Sequence, residues 1–394
     1  MKFWNMPWGP PAFNVVDKAL VESYVPPAGL PRVTYGLVEW ATWTQTFATA
    51  VDSGTGPAVS SGGGIQAFQF AAEGKIAYAD HLIETLKAKN LYNNFLPGLF
   101  EAMKTPAGYV AVPYQVDVRV WYYNKALLEK AGAEVPTDWP SYISAGKKLA
   151  KIGAYGFGLG GGSGNNVGSQ VLVSLMIANG GGLFDEYQKP NCVTERNIEA
   201  MEFVLECYAA GMVAPGCAVY TLADVYNQWT AGKFAMGGSN MGLKTYTSGA
   251  ASKDLVVMPP FKGPHGTEGT FMSPNNIMMY KETPTQAGSE AFLLWYLEHM
   301  HVLWDKGVFP DLPVQKSVED SPAVKLDTEL YDEASLWLPV GKTYGAPGGS
   351  ALFAGIGAVD GAPPLLDFAQ TMLEGKTSAK GALQTLQSAI TSAL

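Results

Sequence analysis

Arginine is nearly missing from this chain: its 394 residues include three, Arg32, Arg119 and Arg196. A guanidinium reads phosphates and carboxylates well because its N–H groups fork onto two oxygens at once. Its scarcity, a net charge of −9 and the lack of any basic stripe argue against nucleic acid as a partner and, less sharply, against a strongly anionic ligand. Charge of either sign is thin, at 15% against 47% hydrophobic, which is the balance of a packed chain and not a disordered one. No apolar run reaches the roughly 18 residues a membrane helix needs. Cysteine stops at Cys192, Cys207 and Cys217, without CxxC or Cys/His zinc spacing. That odd count leaves two readings open: one disulfide, with Cys192–Cys207 as one pairing, beside a free thiol, or three buried inert thiols. Catalytic signatures are missing as well, with no GxSxG, no HExxH and no supported Cys/His pair. His299 and His301 form HxH on a helix, a spacing that sends the rings to different faces, so we expect no metal and no cofactor. The start, Met1–Asn5, has no apolar signal core and no cleavage site, as in a cytoplasmic chain or an exported one already processed.

What the chain does have is glycine, at 45 residues, and aromatics, at 12%. Its length exceeds one ordinary core and suggests two or three units. Strand patterns at 2–6, 32–38 and 58–60 alternate with helical patterns at 13–24, 42–53 and 65–73. The first helix carries an apolar stripe at Phe13, Val16, Leu20 and Tyr24. Such alternation predicts βαβ units on a mainly parallel sheet, an α/β fold. Further strands are expected at 109–113, 118–123, 155–159, 234–237 and 255–258. Another is expected at 271–280, with a polar break at Ser273–Asn276. Helices are expected at 127–131, 140–152 (capped by Thr137-Asp138), 167–178, 195–210 and 222–232. Three more are expected at 285–306, 367–373 and 378–393.

In open α/β sheets, ligands sit beyond the carboxyl ends of the strands. Here those loops are Pro7–Pro11, Trp40–Trp43, Ser60–Gly64, Gly160–Asn166, Gly238–Met241 and Ser273–Asn276. They are rich in Gly, Ser, Asn and Trp and nearly free of charge. That lining suits a neutral polyol, whose hydroxyls want donors and acceptors and whose CH faces want flat rings. Trp40 directly ends a strand and is expected beside the ligand. For Trp8 and Trp43, ligand stacking and core packing both stay open. Trp121, Trp139, Trp295 and Trp304 are assigned to the core. Gly160–Asn166 lacks the lysine of a phosphate loop and reads as a backbone-amide ligand loop or a surface turn.

The stretch Val112-Pro113-Tyr114-Gln115-Val116-Asp117-Val118-Arg119-Val120-Trp121-Tyr122-Tyr123-Asn124-Lys125 resembles the crossover segment of the family 1 extracellular solute-binding proteins. These are the maltose-binding-protein-like sugar receptors of ABC importers. Gly63–Phe68, Pro136–Trp139, Phe234–Met236, Met258–Gly263, Asn275–Ile277, Leu312–Val314 and Gly375-Lys376 agree in order. One departure is Ala58, where the family usually has an acidic residue. The resemblance implies a two-lobed periplasmic-binding-protein fold, type II-like, with the ligand in an interlobe cleft. One lobe would take residues 1–115 and 264–313, the other 119–260 and 320–394. Hinge segments would lie near 114–118, 259–264 and 312–317. It implies an exported receptor, periplasmic or at the cell surface, acting as a monomer. Such a receptor closes on a small neutral carbohydrate and delivers it to the permease subunits of an ABC transporter. The family's crossover acid matches Asp117, whose two oxygens can accept a pair of hydroxyls. The expected ligand set is Asp117, Trp8, Trp40, Trp43, Ser61, Gly63, Gly161, Ser163, Asn165, Asn240, Phe271, Ser273 and Tyr344. Two alternatives stay open. One is a receptor for a polyol or an anionic sugar derivative, held by Lys342 and Arg119. The other is a carbohydrate-active enzyme in which Asp117 pairs with a second acid such as Glu268.

Overall fold

The computed structural model describes residues 1–281 and 284–394. In chain order, the elements used below are β1 (Lys2–Asn5), α1 (Pro11–Glu22), β2 (Thr34–Leu37), α2 (Trp43–Asp52), β3 (Val59–Gly62), α3 (Gln66–Ala72), β4 (Val112–Val118), β5 (Val120–Asn124), α4 (Asn166–Ala178), β6 (Met236–Ser239), β7 (Leu255–Val257), β8 (Thr270–Tyr280), α5 (Gln286–His299), β9 (Leu312–Pro313), α6 (Thr328–Trp337), α7 (Pro363–Glu374) and α8 (Ala379–Ala393). The chain forms two compact units. The first comprises Met1–Asp117, Ser273–Tyr331 and Leu352–Ala354; the second comprises Val118–Met272, Asp332–Ala351 and Gly355–Leu394. Residues 264–272 thus pack with the second unit and 320–331 with the first, several residues from the boundaries the family resemblance implies. Among the described residues no helix is long and apolar enough to cross a membrane.

The sheet of the first unit runs β9-β4-β8-β3-β1-β2. β1 lies parallel to both β2 and β3, with Phe3 opposite Tyr35 and Val59. This is where helices α1 and α2 supply the crossovers that parallel pairing needs. β8 and β9 arrive from far along the chain and run antiparallel to β3 and β4. In the second unit the order β7-β5-β6 is antiparallel throughout. The expected parallel pairing of successive strands is found around β1, and among the described residues the second unit adds only a short parallel pair of β8 with Gly341–Lys342 and isolated bridges.

Three local expectations change. Residues 155–159 make isolated parallel bridges, Tyr155 to Phe234 and Phe157 to Val213, and no continuous strand. Gly156 and Gly158 alternate with them and bring no side chains to hold a ladder. β8 runs unbroken through Ser273–Asn276. Its polar residues serve the neighbouring turn instead of ending the strand: Asn276 Nδ2 donates to the Gly64 carbonyl at 2.7 Å. The long helix expected over 285–306 ends at His299, and a short one follows at Val302–Asp305.

Aromatic packing fills both cores. In the first unit Phe3 meets Phe292 at 5.1 Å and Tyr296 at 5.2 Å between ring centres. In the second, Trp121 stacks on Trp337 at 5.4 Å and meets Phe261 edge-on. Trp139 stacks on Phe203, and Trp304 on Phe309 in the first unit; these three tryptophans are buried as assigned, whereas Trp295 is half-buried. All three cysteines are free and buried, and burial pushes the thiols of Cys192 and Cys217 up to about 12, which leaves them inert.

Asn165 caps α4, its Oδ1 accepting from Gly168 N at 3.1 Å. Gly168 sits so close beneath that a Cβ there would overlap the Gly160 carbonyl oxygen. Gly168→Ala is therefore expected to cost about 2–3 kcal/mol of unfolding free energy in a urea titration.

Candidate ligand-binding site

Each unit carries its own group of the residues singled out above. In the first, β1 ends at Asn5 and the chain turns into Pro7-Trp8. The Trp8 indole donates to Asn5 Oδ1 at 3.1 Å and to Ser61 Oγ at 3.0 Å, and the Ser61 hydroxyl itself donates to Asn5 Oδ1. Trp40, half-buried, donates from its indole to the Pro7 carbonyl at 3.1 Å. Its ring stands edge-on to Trp8 at 4.8 Å and to Trp43 at 6.0 Å. Trp8 and Trp43 are each 7% exposed, so each offers only a ring edge or a small part of a face to solvent. Gly63 is glycine for a reason of space: a Cβ there would come within 2.7 Å of the Trp43 ring. The next residue, Gly64, lies under Ser273 Oγ, the Pro274 carbonyl and Asn275 Oδ1, at about 3 Å from where its Cβ would be. Trp8, Trp40, Trp43, Ser61, Gly63 and Ser273 are thus brought to one end of the β1, β2, β3 and β8 strands.

Asp117 ends the first segment of this unit. It is the penultimate residue of β4 and half-buried, between Val116 and Val118, which are buried.

In the second unit Phe271 packs on Tyr344, ring centres 4.3 Å apart. The Tyr344 hydroxyl faces Asp360 Oδ1 at 3.4 Å, which also accepts from Asn166 Nδ2 at 3.1 Å and Gln170 Nε2 at 3.2 Å. Arg119, buried, donates from Nε to Gln170 Oε1 at 2.8 Å. Burial pushes the Asp360 carboxyl up, against these donors, and pushes the Tyr344 phenol well up. Gly161 is buried and its amide donates to Cys217 O at 2.9 Å, while Asn165 Nδ2 donates to Tyr220 O at 3.2 Å. Both serve the loop's own packing, and Ser163, between them, is exposed. Asn240 forms another group: its Oδ1 accepts from Tyr226 OH at 2.8 Å and its carbonyl from Tyr122 OH at 3.2 Å. Lys342 and Glu268, the residues of the alternative readings, are exposed.

Sequence reasoning missed the buried polar groups packed against these residues. Asp17 is buried on α1, where Oδ2 accepts from Asn5 Nδ2 at 2.6 Å and Oδ1 from Tyr296 OH at 2.7 Å. The buried face of α1 is Phe13, Asp17 and Val21. The stripe read from the sequence, through Val16 and Leu20, is rotated from it by one residue. The signal was there: 13, 17 and 21 share helical spacing, with an acid in the middle. Asp360 and Gln170 gave no such sign, since Gln170 lies on a helix buried nearly all round.

Two α/β units with such surfaces define the class of two-lobed ligand-binding proteins. Residues 31–300 match the profile of the bacterial extracellular solute-binding proteins, and this chain belongs to that family. A sugar transporter protein from Arthrobacter chlorophenolicus A6, crystallised with bound laminaribiose, is similar over 100% of this chain and 99% of its own, at 42% identity and a TM-score of 0.95. The maltose-bound MalE3 of T. maritima shares the fold at 18% identity, with a TM-score of 0.81 over 100% of both chains. A putative binding protein of Brucella abortus (strain 2308) is 24% identical over 69% of this chain, and the match spans 65% of that relative's length.

Asp17 gives the stability a defined pH dependence. Burial pushes its carboxyl from an ordinary 3.8 up to about 6, so between those values the folded chain holds a proton that the unfolded chain has released. This contribution is present in full below about pH 4 and is lost as pH rises through about 6. Asp17→Asn removes it. The unfolding free energy of the wild type relative to Asp17→Asn is expected to rise by about 3 kcal/mol between about pH 7.5 and 4, read from urea titrations at each pH.

Proposed function

We propose that this chain captures a neutral di- or oligosaccharide outside the cytoplasm and delivers it to the permease subunits of an ABC importer. The observation that carries this reading is the Trp8–Trp40–Trp43 group beside Ser61, Gly63 and Ser273 at one end of the first unit's strands, aromatic and hydroxyl-bearing, with Trp40 and Ser273 its half-buried members. Sugars present weakly polar CH faces and a rim of hydroxyls, and rings with fixed polar partners match both. The full-length similarity to a laminaribiose-bound protein supports a β-linked glucose disaccharide as the first candidate to test. Asp117 is assigned the charge-assisted contact to a pair of hydroxyls. The hinge closure that the family resemblance implies belongs to the same proposal: a sugar shifts the balance between two conformers only by its different affinity for them. We read the chain as a receptor and not an enzyme, so the bound sugar leaves unchanged.

Calorimetry with laminaribiose, maltose, ribitol and a sugar phosphate is expected to give saturable binding of a neutral saccharide. Chromatography should then recover that saccharide intact. Asp117→Ala should weaken binding by about 1.5–3 kcal/mol, roughly 10- to 150-fold. Tight binding of the phosphate alone would move the assignment to an anionic ligand. Wild-type affinity in Asp117→Ala would remove that residue from the site.

A further inference from the structure

We propose that Asp17 is a positioning residue for the ligand face of the first unit: its carboxylate fixes the Asn5 carboxamide, and Asn5 in turn orients the Trp8 indole and the Ser61 hydroxyl. For its effect on binding the proposal rests on the sugar-receptor reading; for its effect on the free protein it rests on geometry alone.

An ionised carboxylate only accepts hydrogen bonds, so the group Asn5 turns toward Asp17 must be Nδ2, at 2.6 Å. Asn5 Oδ1 then faces the other way, where donors converge on it: Met6 N at 2.9 Å, Trp8 Nε1 at 3.1 Å and the Ser61 hydroxyl. Indole and backbone N–H groups cannot accept, so a reversed amide would set donor against donor at two of these three contacts. The carboxylate thereby selects one of the two amide orientations, and that orientation holds the indole ring which Trp40 meets edge-on.

The groups facing Asp17 are Asn5 from β1, Tyr35 from β2, Tyr114 from β4 and Tyr296 from α5. All four are neutral at pH 7, so donors and no cation hold the charge, which makes the carboxylate costly in a core. Near its titration midpoint at about 6, mild acid converts one of its oxygens into a donor and loosens its hold on Asn5 Nδ2, which shifts the amide against the Trp8 indole. Removing Asp17 would therefore alter the ligand face without touching a residue on it.

The test uses the full chain, labelled with nitrogen-15 and free of sugar. The Trp8 indole N–H resonance is assigned by its loss in Trp8→Phe. In the wild type this resonance is expected to move with pH, with a midpoint near 6. In Asp17→Asn it should stay fixed from about pH 5 to 7.5. Tyr296→Phe removes a donor that favours the carboxylate and should move the midpoint upward, which keeps the test open if Asp17→Asn does not fold. A wild-type resonance that does not titrate overturns the proposal whatever the sugar does, as does one that titrates equally in Asp17→Asn, or a midpoint unmoved in Tyr296→Phe. Laminaribiose calorimetry reads the second arm. At about pH 5 roughly one carboxylate in eleven stays ionised, so wild-type affinity should fall about tenfold from its value at pH 7.5. Asp17→Asn should bind more weakly than wild type at pH 7.5, with no such fall. An indole that titrates in a protein that binds no saccharide would keep the positioning role and sink the receptor reading instead.

Discussion

The carboxamide of Asn5 is the contact on which the polar packing around Trp8 and Ser61 depends. It ends β1, the strand paired in parallel on both sides, so its backbone is among the most firmly placed in the unit. Its side chain reaches both ways, with Nδ2 down to Asp17 and Oδ1 up to Trp8, Ser61 and the next amide. An amide with a donor at one end and an acceptor at the other couples the identity of the group below it to the orientation of the indole and hydroxyl above it. Replacing it with an apolar residue of the same volume would keep the packing and lose that transmission.

The second unit repeats the arrangement with other residues. Asp360 lies under Tyr344 as Asp17 lies under Trp8, and in both places burial raises the carboxyl while neutral donors gather round it. A guanidinium stands behind Asp360, by way of Gln170. Asp17, Asp360 and Arg119 are thus all buried, whereas Asp117 is half-buried.

Much of this was readable from residue order, and the remainder has physical reasons for being hidden. The strands at the start of the chain are bounded by proline and glycine turns and alternate with helical stripes, so β1 to α3 follow from pattern. The sequence placed Trp40 and Gly63 near strand ends, and they follow β2 and β3, while Ser61 is the penultimate residue of β3. β8 was misread as broken since its polar run looks like a turn, when those side chains were committed to the Gly64 turn from across the sheet. Gly161 and Asn165 look like a loop made for a ligand, yet their polar groups go to Cys217 and Tyr220, contacts about 55 residues away in sequence. Asp17 was overlooked for the opposite reason: an acid on a helix reads as a solvated residue, and only Tyr296, 279 positions later, shows which way it faces. Long-range polar pairing leaves no periodic trace, whereas apolar burial does.

On the proposed sugar-receptor reading, a fixed amide has a chemical reason. A charged ligand can be held by a field that varies slowly with angle, so a lysine that wanders still attracts it. A hydroxyl is both donor and acceptor, and neutral hydrogen bonds weaken steeply when bent. Each polar group that meets a sugar must therefore present one face only, or the site accepts stereoisomers alike. Serine hydroxyls rotate freely unless something claims their proton. Asn5 Oδ1 claims that of Ser61, which leaves the serine oxygen with the indole donor of Trp8 and its remaining lone pair. On the proposed reading, selectivity among neutral sugars is set from below, through the orientation that the buried carboxylate gives Asn5.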